Sequence, residues 1–188
     1  MEYRTIRDIL TNAEKCFGNE DAIRYKIGKN EIAAKTYTQL KEDSERITAL
    51  LKKLGEPKSH IALIGATSYL WIASYFGIVD GGNVAVPLDM SLPAEELCEL
   101  IDRADVTILI LDEIRKDVIE AAKEKCPKLK YILSMQKEAN EGNILSLTKS
   151  MMEQTIDEDT GAEKQRLTPD QLCTIMFYIR DNRKVAKV

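Results

Sequence analysis

The stretch from His60 to Asp89 most constrains what this chain can fold into. It reads Ile61-Ala-Leu-Ile64, then Gly65, an apolar run from Tyr69 to Val79, Gly81-Gly82, and Val84-Ala-Val-Pro87. A short apolar run bounded by turn residues suits a strand buried on both faces, as in a parallel sheet. After Gly65, Trp71, Ile72, Tyr75, Phe76 and Val79 recur at helical spacing, with Leu70, Ala73 and Ile78 between them. Such a helix is apolar almost all round and is expected to be buried. Strand, helix, double-glycine exit and second strand make one βαβ unit.

The same alternation extends to either side. Upstream, the spacing predicts a helix over Ile6 to Phe17, capped by Thr5, with Asp8 in its first turn and Gly18 after its end. Its apolar face is Ile6, Ile9, Leu10, Ala13 and Phe17. Ala22 to Ile27 alternates outward Arg24 and Lys26 with inward Ile23, Tyr25 and Ile27. A turn at Gly28-Lys-Asn30 returns the chain as a hairpin partner, Ile32 to Lys35. A helix from Thr38 to Leu54 buries Leu40, Ile47, Leu51 and Leu54, and Gly55 and Pro57 end it.

Downstream, Pro93 suits a first helical position, with Glu95 and Glu96 near the positive end of the dipole. That helix buries Leu97, Leu100, Ile101 and Ala104. Val106 to Leu111 is a third buried strand, Ile114, Val118, Ala121 and Ala122 mark a helix stopped by Pro127, and Tyr131 to Leu133 is a fourth strand. A short helix is expected around Ile144 to Met152, then a charged surface linker over Asp157 to Lys164. Leu172 to Phe177 reads as a last strand, and the basic tail after it has no apolar period. Strands alternating with helices of this length give an α/β fold, a doubly wound and mainly parallel sheet flanked by helices, with a small N-terminal β-hairpin. The expected division is an α/β domain over 1–155, a linker over 156–169, and a terminal strand over 170–188.

Composition narrows the function classes. With 188 residues, 44% hydrophobic and 31% charged, the chain has the make-up of a soluble globular domain. A net charge of −4 with both signs interspersed gives no basic stripe for a nucleic acid. No apolar run reaches the roughly 18 residues that cross a bilayer, and Met1 to Leu10 lacks a signal peptide's uncharged core. A cytoplasmic location without membrane insertion follows as the expectation. Cys16, Cys98, Cys126 and Cys173 form no CxxC pair and are expected as reduced, mostly buried thiols rather than metal ligands. The single histidine, His60, precedes a buried strand, which disfavours Ser-His and Cys-His catalysis.

A parallel α/β sheet binds ligands at the carboxyl ends of its strands. The first such end, Ile64-Gly65-Ala-Thr-Ser68, offers a glycine and two hydroxyls before a helix N-terminus, where a phosphate could sit. There is no GxGxxG and no GxxxxGK[ST], so the plainer account is a tight turn with Thr67 as N-cap. Asp89, after Pro87-Leu, can satisfy backbone donors, and Asp112 suits an N-cap better than a catalytic group. Taken residue by residue, no active site stands out.

Several stretches together resemble the front part of the adenylate-forming superfamily, most nearly the bacterial long-chain fatty acid–CoA ligases. They are Thr5-Ile-Arg-Asp-Ile-Leu10, Lys35-Thr-Tyr-Thr-Gln-Leu40, Gly65 to Trp71, Gly77-Ile-Val-Asp-Gly-Gly-Asn-Val-Ala-Val-Pro-Leu-Asp89, and Leu92-Pro-Ala-Glu-Glu-Leu97. The resemblance runs to about Phe177. It implies a parent reaction in which a carboxylate and ATP give an acyl-adenylate and then a CoA thioester, with ATP, Mg and CoA as cofactors.

In that family the run to Phe177 would lead into a phosphate loop, T-S-G-T-T-G-x-x-K-G, whose small residues let backbone N–H groups approach the phosphates. Here Tyr178-Ile-Arg-Asp-Asn-Arg-Lys184 stands in its place, with no glycine. Tyr178, Arg180, Arg183 and Lys184 are therefore a degenerate remnant, Lys187 falls near the family's lysine without matching it, and no catalytic residue, bound cofactor or metal is expected for this chain. Codons can be chosen for Phe177 to Lys184 that read F-T-S-G-T-T-G-K once a single T is removed, which implies an inserted nucleotide and a truncated, catalytically silent fragment. Apolar surface left uncovered would favour homo-oligomers, through the Leu172 to Phe177 strand adding to a sheet edge. A non-catalytic binding module and weak nucleotide binding at the Gly65 turn are the competing expectations.

Overall fold

The computed structural model describes residues 3–27, 29, 31–55, 57–112, 115–136, 138, 140–156, 167–180 and 184–187. Helix α1 (Ile6–Phe17) opens the fold with a capping box: the Thr5 hydroxyl accepts from Asp8 N, and the Asp8 carboxylate accepts from Thr5 N at 2.7 Å. β1 (Asp21–Lys26) and β2 (Ile32–Thr36) pair antiparallel as the expected hairpin. Its turn residues Gly28 and Asn30 lie outside the described residues. Thr36 and Gln39 form a second capping box at the start of α2 (Tyr37–Leu54).

The centre is a parallel five-stranded sheet, in the order β4-β3-β5-β6-β7. The strands are β3 (His60–Ile64), β4 (Val84–Leu88), β5 (Val106–Leu111), β6 (Tyr131–Ser134) and β7 (Ile144–Ser146). The βαβ unit at His60–Asp89 supplies β3, α3 (Tyr69–Asp80) and β4. Alternate residues of each strand go to opposite faces, as the pleat requires. Ile61, Leu63, Ala85, Ile110 and Leu133 face α2, α3 and α6 (Leu147–Met152), while Ala62, Ile64, Val86, Leu109 and Ile132 face α4 (Ala94–Arg103) and α5 (Lys116–Lys125). Two apolar layers thus cover the sheet, as the doubly wound reading expects. Arg7 on α1 pairs with the Asp80 carboxylate and donates to the Asp80 carbonyl, fixing α1 to the far end of α3.

Several local expectations need correction. The cap of α3 is Ser68, whose hydroxyl accepts from Trp71 N at 3.2 Å, one residue later than Thr67. Pro93 precedes α4 as its N-cap instead of sitting inside it. Asp112 does not cap α5, which starts after Arg115; Arg115 N donates to the Asp112 carbonyl at 3.2 Å. Ile114 lies outside the described residues. The segment read as one helix from Ile144 splits into β7 and α6, because Ile144 and Leu145 pair with Ile132 and Leu133 and Ser146 then caps the helix. Ile27, Ile9 and Phe17 are exposed, Phe17 keeping a ring contact with Tyr37 at 5.5 Å, and Cys16 is exposed while Cys98 and Cys126 are buried. Helix α3 buries Ala73, Gly77 and Ile78 but leaves Trp71, Ile72, Tyr75 and Phe76 half-buried.

The final segment differs most. Leu172 to Phe177 forms one bridge, Thr174 beside Ala85 on the outer edge of β4, instead of a full strand. The backbone then enters β8 (Phe177–Arg180), which pairs antiparallel with β9 (Lys184–Lys187), although the tail's charged sequence gave no period. Arg183 and the linker 157–164 lie outside the described residues.

Candidate functional site

The strand order creates a topological switch between β3 and β5. The connection after β3 leads through α3 to β4 on one side, and the chain after β5 leads through α5 to β6 on the other. The loops after β3 and β5 therefore diverge, and such a crevice is where open α/β sheets take ligands.

In this protein the crevice is tight. A Cβ placed on Gly65 would lie 3.0 Å from the Asp112 Cβ and 3.8 Å from Trp71 Cδ1, so glycine serves close backbone approach here. Asp112 N donates to the Ile64 carbonyl at 2.9 Å, which extends the β3–β5 ladder across the mouth. Asp112 is 9% exposed. The Ser68 hydroxyl is committed to Trp71 N, and Thr67 faces solvent. Gly65, Thr67 and Ser68 thus form a capped strand-to-helix turn.

The other carboxylates at this end are also engaged. Asp89 Oδ1 accepts from Ser91 N at 2.9 Å, and that N–H holds its carboxyl below the usual range. Backbone donors were the expected partners. Arg115, which no sequence signal singled out, donates to the Leu92 carbonyl at 2.8 Å and to the Met90 carbonyl. It also grips Asp117 with two nitrogens, at 2.9 and 2.7 Å, and the guanidinium holds the Asp117 carboxyl low. Arg115 thereby staples the β4–α4 turn to the start of α5.

His60 begins β3, at the opposite end of the sheet, roughly 13 Å from the strand's carboxyl end at ~3.3 Å per residue. Its Nδ1 lies 2.5 Å from the Ala104 carbonyl, a structural contact at the end of α4. Among the described residues, no group of three or more His, Cys, Asp or Glu side chains is placed to hold a metal ion, and no helix is long and apolar enough to cross a membrane.

The segment around Tyr178, Arg180 and Lys184 enters from the other side. Thr174 runs parallel to Ala85, so the chain beyond it heads toward the same end of the sheet as Leu88. Tyr75 Oη and Thr174 Oγ1 share a hydrogen bond of 3.0 Å, Gln171 Nε2 donates to the Gly82 carbonyl at 3.1 Å, and Ile175 is 3% exposed. These contacts deliver the chain to the carboxyl end of the sheet, where it forms the β8–β9 ladder. Tyr178 stands opposite Ala186 and Arg180 opposite Lys184.

A parallel five-stranded sheet covered by helices on both faces, approached by a segment at its carboxyl end, is a doubly wound α/β architecture. The chain belongs to the AMP-binding enzyme family, whose model matches residues 11–177, and corresponds to the N-terminal portion of that fold. It is 37% identical, over 81 residues, to the D-alanine--D-alanyl carrier protein ligase of Streptococcus equi subsp. equi (strain 4047). That stretch is 42% of this chain and 16% of the relative. The anthranilate CoA ligase AuaEII, solved with anthranoyl-AMP, superposes with a TM-score of 0.83 at 20% identity, covering 98% of this chain and 34% of that one. A fatty acyl CoA synthetase from Mycobacterium tuberculosis superposes with a TM-score of 0.77 at 18% identity, covering 98% and 34%. At these identities the solved structures speak for the fold alone. The chain spans about a third of their length.

Proposed function

We propose that the chain is the front part of an AMP-forming acyl-CoA synthetase-like ligase and that by itself it does not activate a carboxylate. The parent reaction would join a carboxylate to ATP, release pyrophosphate, and pass the acyl group to CoA, with ATP and Mg as the other cofactors. One observation carries the claim of inactivity. Where the family places a glycine loop, the backbone of residues 177–180 and 184–187 is paired strand to strand. N–H groups spent on a ladder are not free to cradle phosphate. The family match also stops at residue 177, directly before the departure.

Long-chain fatty acids come first in the assay, because the stretches from Gly77 to Asp89 and from Leu92 to Leu97 resemble those of fatty acid–CoA ligases. Amino acids and aryl acids, named in the D-alanine and anthranilate relatives, belong in the same assay. Pyrophosphate exchange with ATP and a panel of these acids tests the proposal, and acid-dependent exchange would refute it. An inserted nucleotide near codon 178 accounts for the altered loop. Sequencing the gene should find adenylate-forming sequence continuing in another frame, and its absence there would remove that explanation.

A second reading is a non-catalytic, self-associating module in the cytoplasm, binding neither nucleic acid nor membrane. The exposed Ile9, Phe17, Leu172 and Met176 favour it, together with the half-buried aromatic row of α3. Light scattering should give a mass above the monomer, and a clean monomer at high concentration would exclude it. Calorimetry with ATP and AMP should give no heat at the Gly65 turn.

A further inference from the structure

In a parallel ladder, a residue whose N–H and C=O point to one neighbour alternates with one whose groups point to the other. Val84 N donates to the Ser59 carbonyl at 2.9 Å, toward β3. Val84, Val86 and Leu88 therefore serve β3, and Ala85 and Pro87 face the outer edge of β4. Ala85 uses both of its groups there: its N–H donates to the Cys173 carbonyl and its carbonyl accepts from Ile175 N, each at 2.9 Å. The next outward position is Pro87, which has no N–H to give. A second rung would require residue 87 to donate to the Ile175 carbonyl. Pairing accordingly ends after the single bridge of Ala85 with Thr174, and by Phe177 the backbone pairs with β9.

We propose that Pro87 is a ladder stop: it releases the chain from β4 after Ile175 and so positions the paired strands 177–180 and 184–187 as a separate unit at the carboxyl end of the sheet. The segment is held firmly up to the release point, by the Tyr75–Thr174 and Gln171–Gly82 hydrogen bonds and by burial of Ile175. Without the proline, the same contacts would hold Ile175 in register for a further rung. Phe177 would then be drawn onto β4, and its pairing with Lys187 would be lost. The same missing donor keeps a strand from another molecule off this part of the edge. Pro87 is thus a positioning residue, acting through the backbone of the segment beside it.

Amide hydrogen exchange followed by NMR on the full chain tests this in the wild type, Pro87→Ala and Pro87→Val. In the wild type, the Ala85 and Ile175 amides should be protected. Both variants should keep the wild-type far-UV circular dichroism, because residue 87 lies on the outer edge and is only half-buried. Their new amide at position 87 should exchange about tenfold more slowly than an unpaired amide, the size of one modest hydrogen bond. Amides of β9 should lose protection at the same time. The proposal is overturned if residue 87 exchanges at the unpaired rate, or if the hairpin amides stay unchanged. Unfolding of both variants would overturn it too, since the ring would then be a core element. So would protection at residue 87 that grows with protein concentration, because a second copy would be taking the edge.

Discussion

Gly77 on α3 lies so close to Ile47 on α2 that a Cβ added to the glycine would sit 2.8 Å from the Ile47 Cβ, and equally close to the Ser44 carbonyl. The two helices therefore meet backbone to side chain, and the glycine that opens the Gly77-Ile-Val-Asp-Gly-Gly stretch is what permits it. Replacing it with alanine sets two effects against each other. Helix propensity favours alanine by about 1 kcal/mol. Overpacking costs about 1–3 kcal/mol, and the Ser44 carbonyl belongs to a helix backbone that cannot yield like a side-chain tip. Three contacts at 2.8 Å, one to backbone, put the cost in the upper part of that range, so the clash should win and Gly77→Ala should lower the unfolding free energy by about 1–2 kcal/mol net in urea titrations. An unchanged or raised midpoint would mean that the helices are further apart.

Tyr69 ties α3 to α2, β1 and β2. Its hydroxyl donates to Asp43 Oδ2 at 2.6 Å, its ring stacks on Tyr25 at 6.1 Å, and the Lys35 ammonium lies 5.1 Å over it. Burial, and then the hydrogen bond to Asp43, raise its phenol well above the ordinary 10.0. A raised folded-state pKa gives stability that is full below the unfolded value and lost as pH rises toward the folded one. Between pH 9 and 11, this group should remove about 1 kcal/mol of stability. Tyr69→Phe should be less stable near neutrality by about 1 kcal/mol, from the lost hydrogen bond. Its alkaline decline should be shallower than the wild type's, and equal slopes would sink the assignment.

Asp8 supplies the acid side of the same logic. The backbone N–H groups of Arg4 and Thr5 hold its carboxyl below the ordinary 3.8. A depressed pKa gives stability that is present above 3.8 and lost as pH falls through the folded value. Asp8→Ala should cost about 0.5–1 kcal/mol at pH 7, modest because the group is only half-buried and solvent screens it. The difference from wild type at pH 7 should shrink as the pH is taken below 3.8 into acid, where the carboxylate gains its proton. Thermal unfolding at the two pH values measures it, and a gap that persists in acid would contradict the capping box.

The thiols should divide by environment. Burial pushes Cys126 up to about 12 and raises Cys98, whose carbonyl accepts from the Cys126 thiol at 3.6 Å. Cys16 is exposed and Cys173 half-buried. An aromatic disulfide reagent at pH 8 should label Cys16 within minutes, Cys173 more slowly, and Cys98 and Cys126 only in denaturant. Rapid labelling of Cys126 in the folded protein would place α5 elsewhere.

The elements that could be read ahead of the structure are those whose apolar pattern is local and unshared. Ile61 to Ile64 and Val106 to Leu111 need both faces covered, which fixed a parallel sheet before any contact was known. The order β4-β3-β5-β6-β7 was illegible because pairing partners are non-local. Ile144 and Leu145 were misread as helical because a three-residue strand has no period of its own, and Ser146 ends the strand while capping the helix. Leu172 to Phe177 had strand propensity, but its pairing depends on a donor that Pro87, far away in sequence, does not have. At the candidate site, Gly65, Asp89 and Asp112 were visible as residues. That Ser68 takes the Trp71 N–H and that Asp112 N donates to Ile64 was not, since each depends on how the loops close.

Pyrophosphate exchange tests the account most directly. With ATP, Mg, and fatty, aryl and amino acids offered in turn, the chain should incorporate no label into ATP above the no-acid blank. Acid-dependent exchange by the purified protein would contradict the claim that residues 178–184 no longer hold the phosphates of ATP.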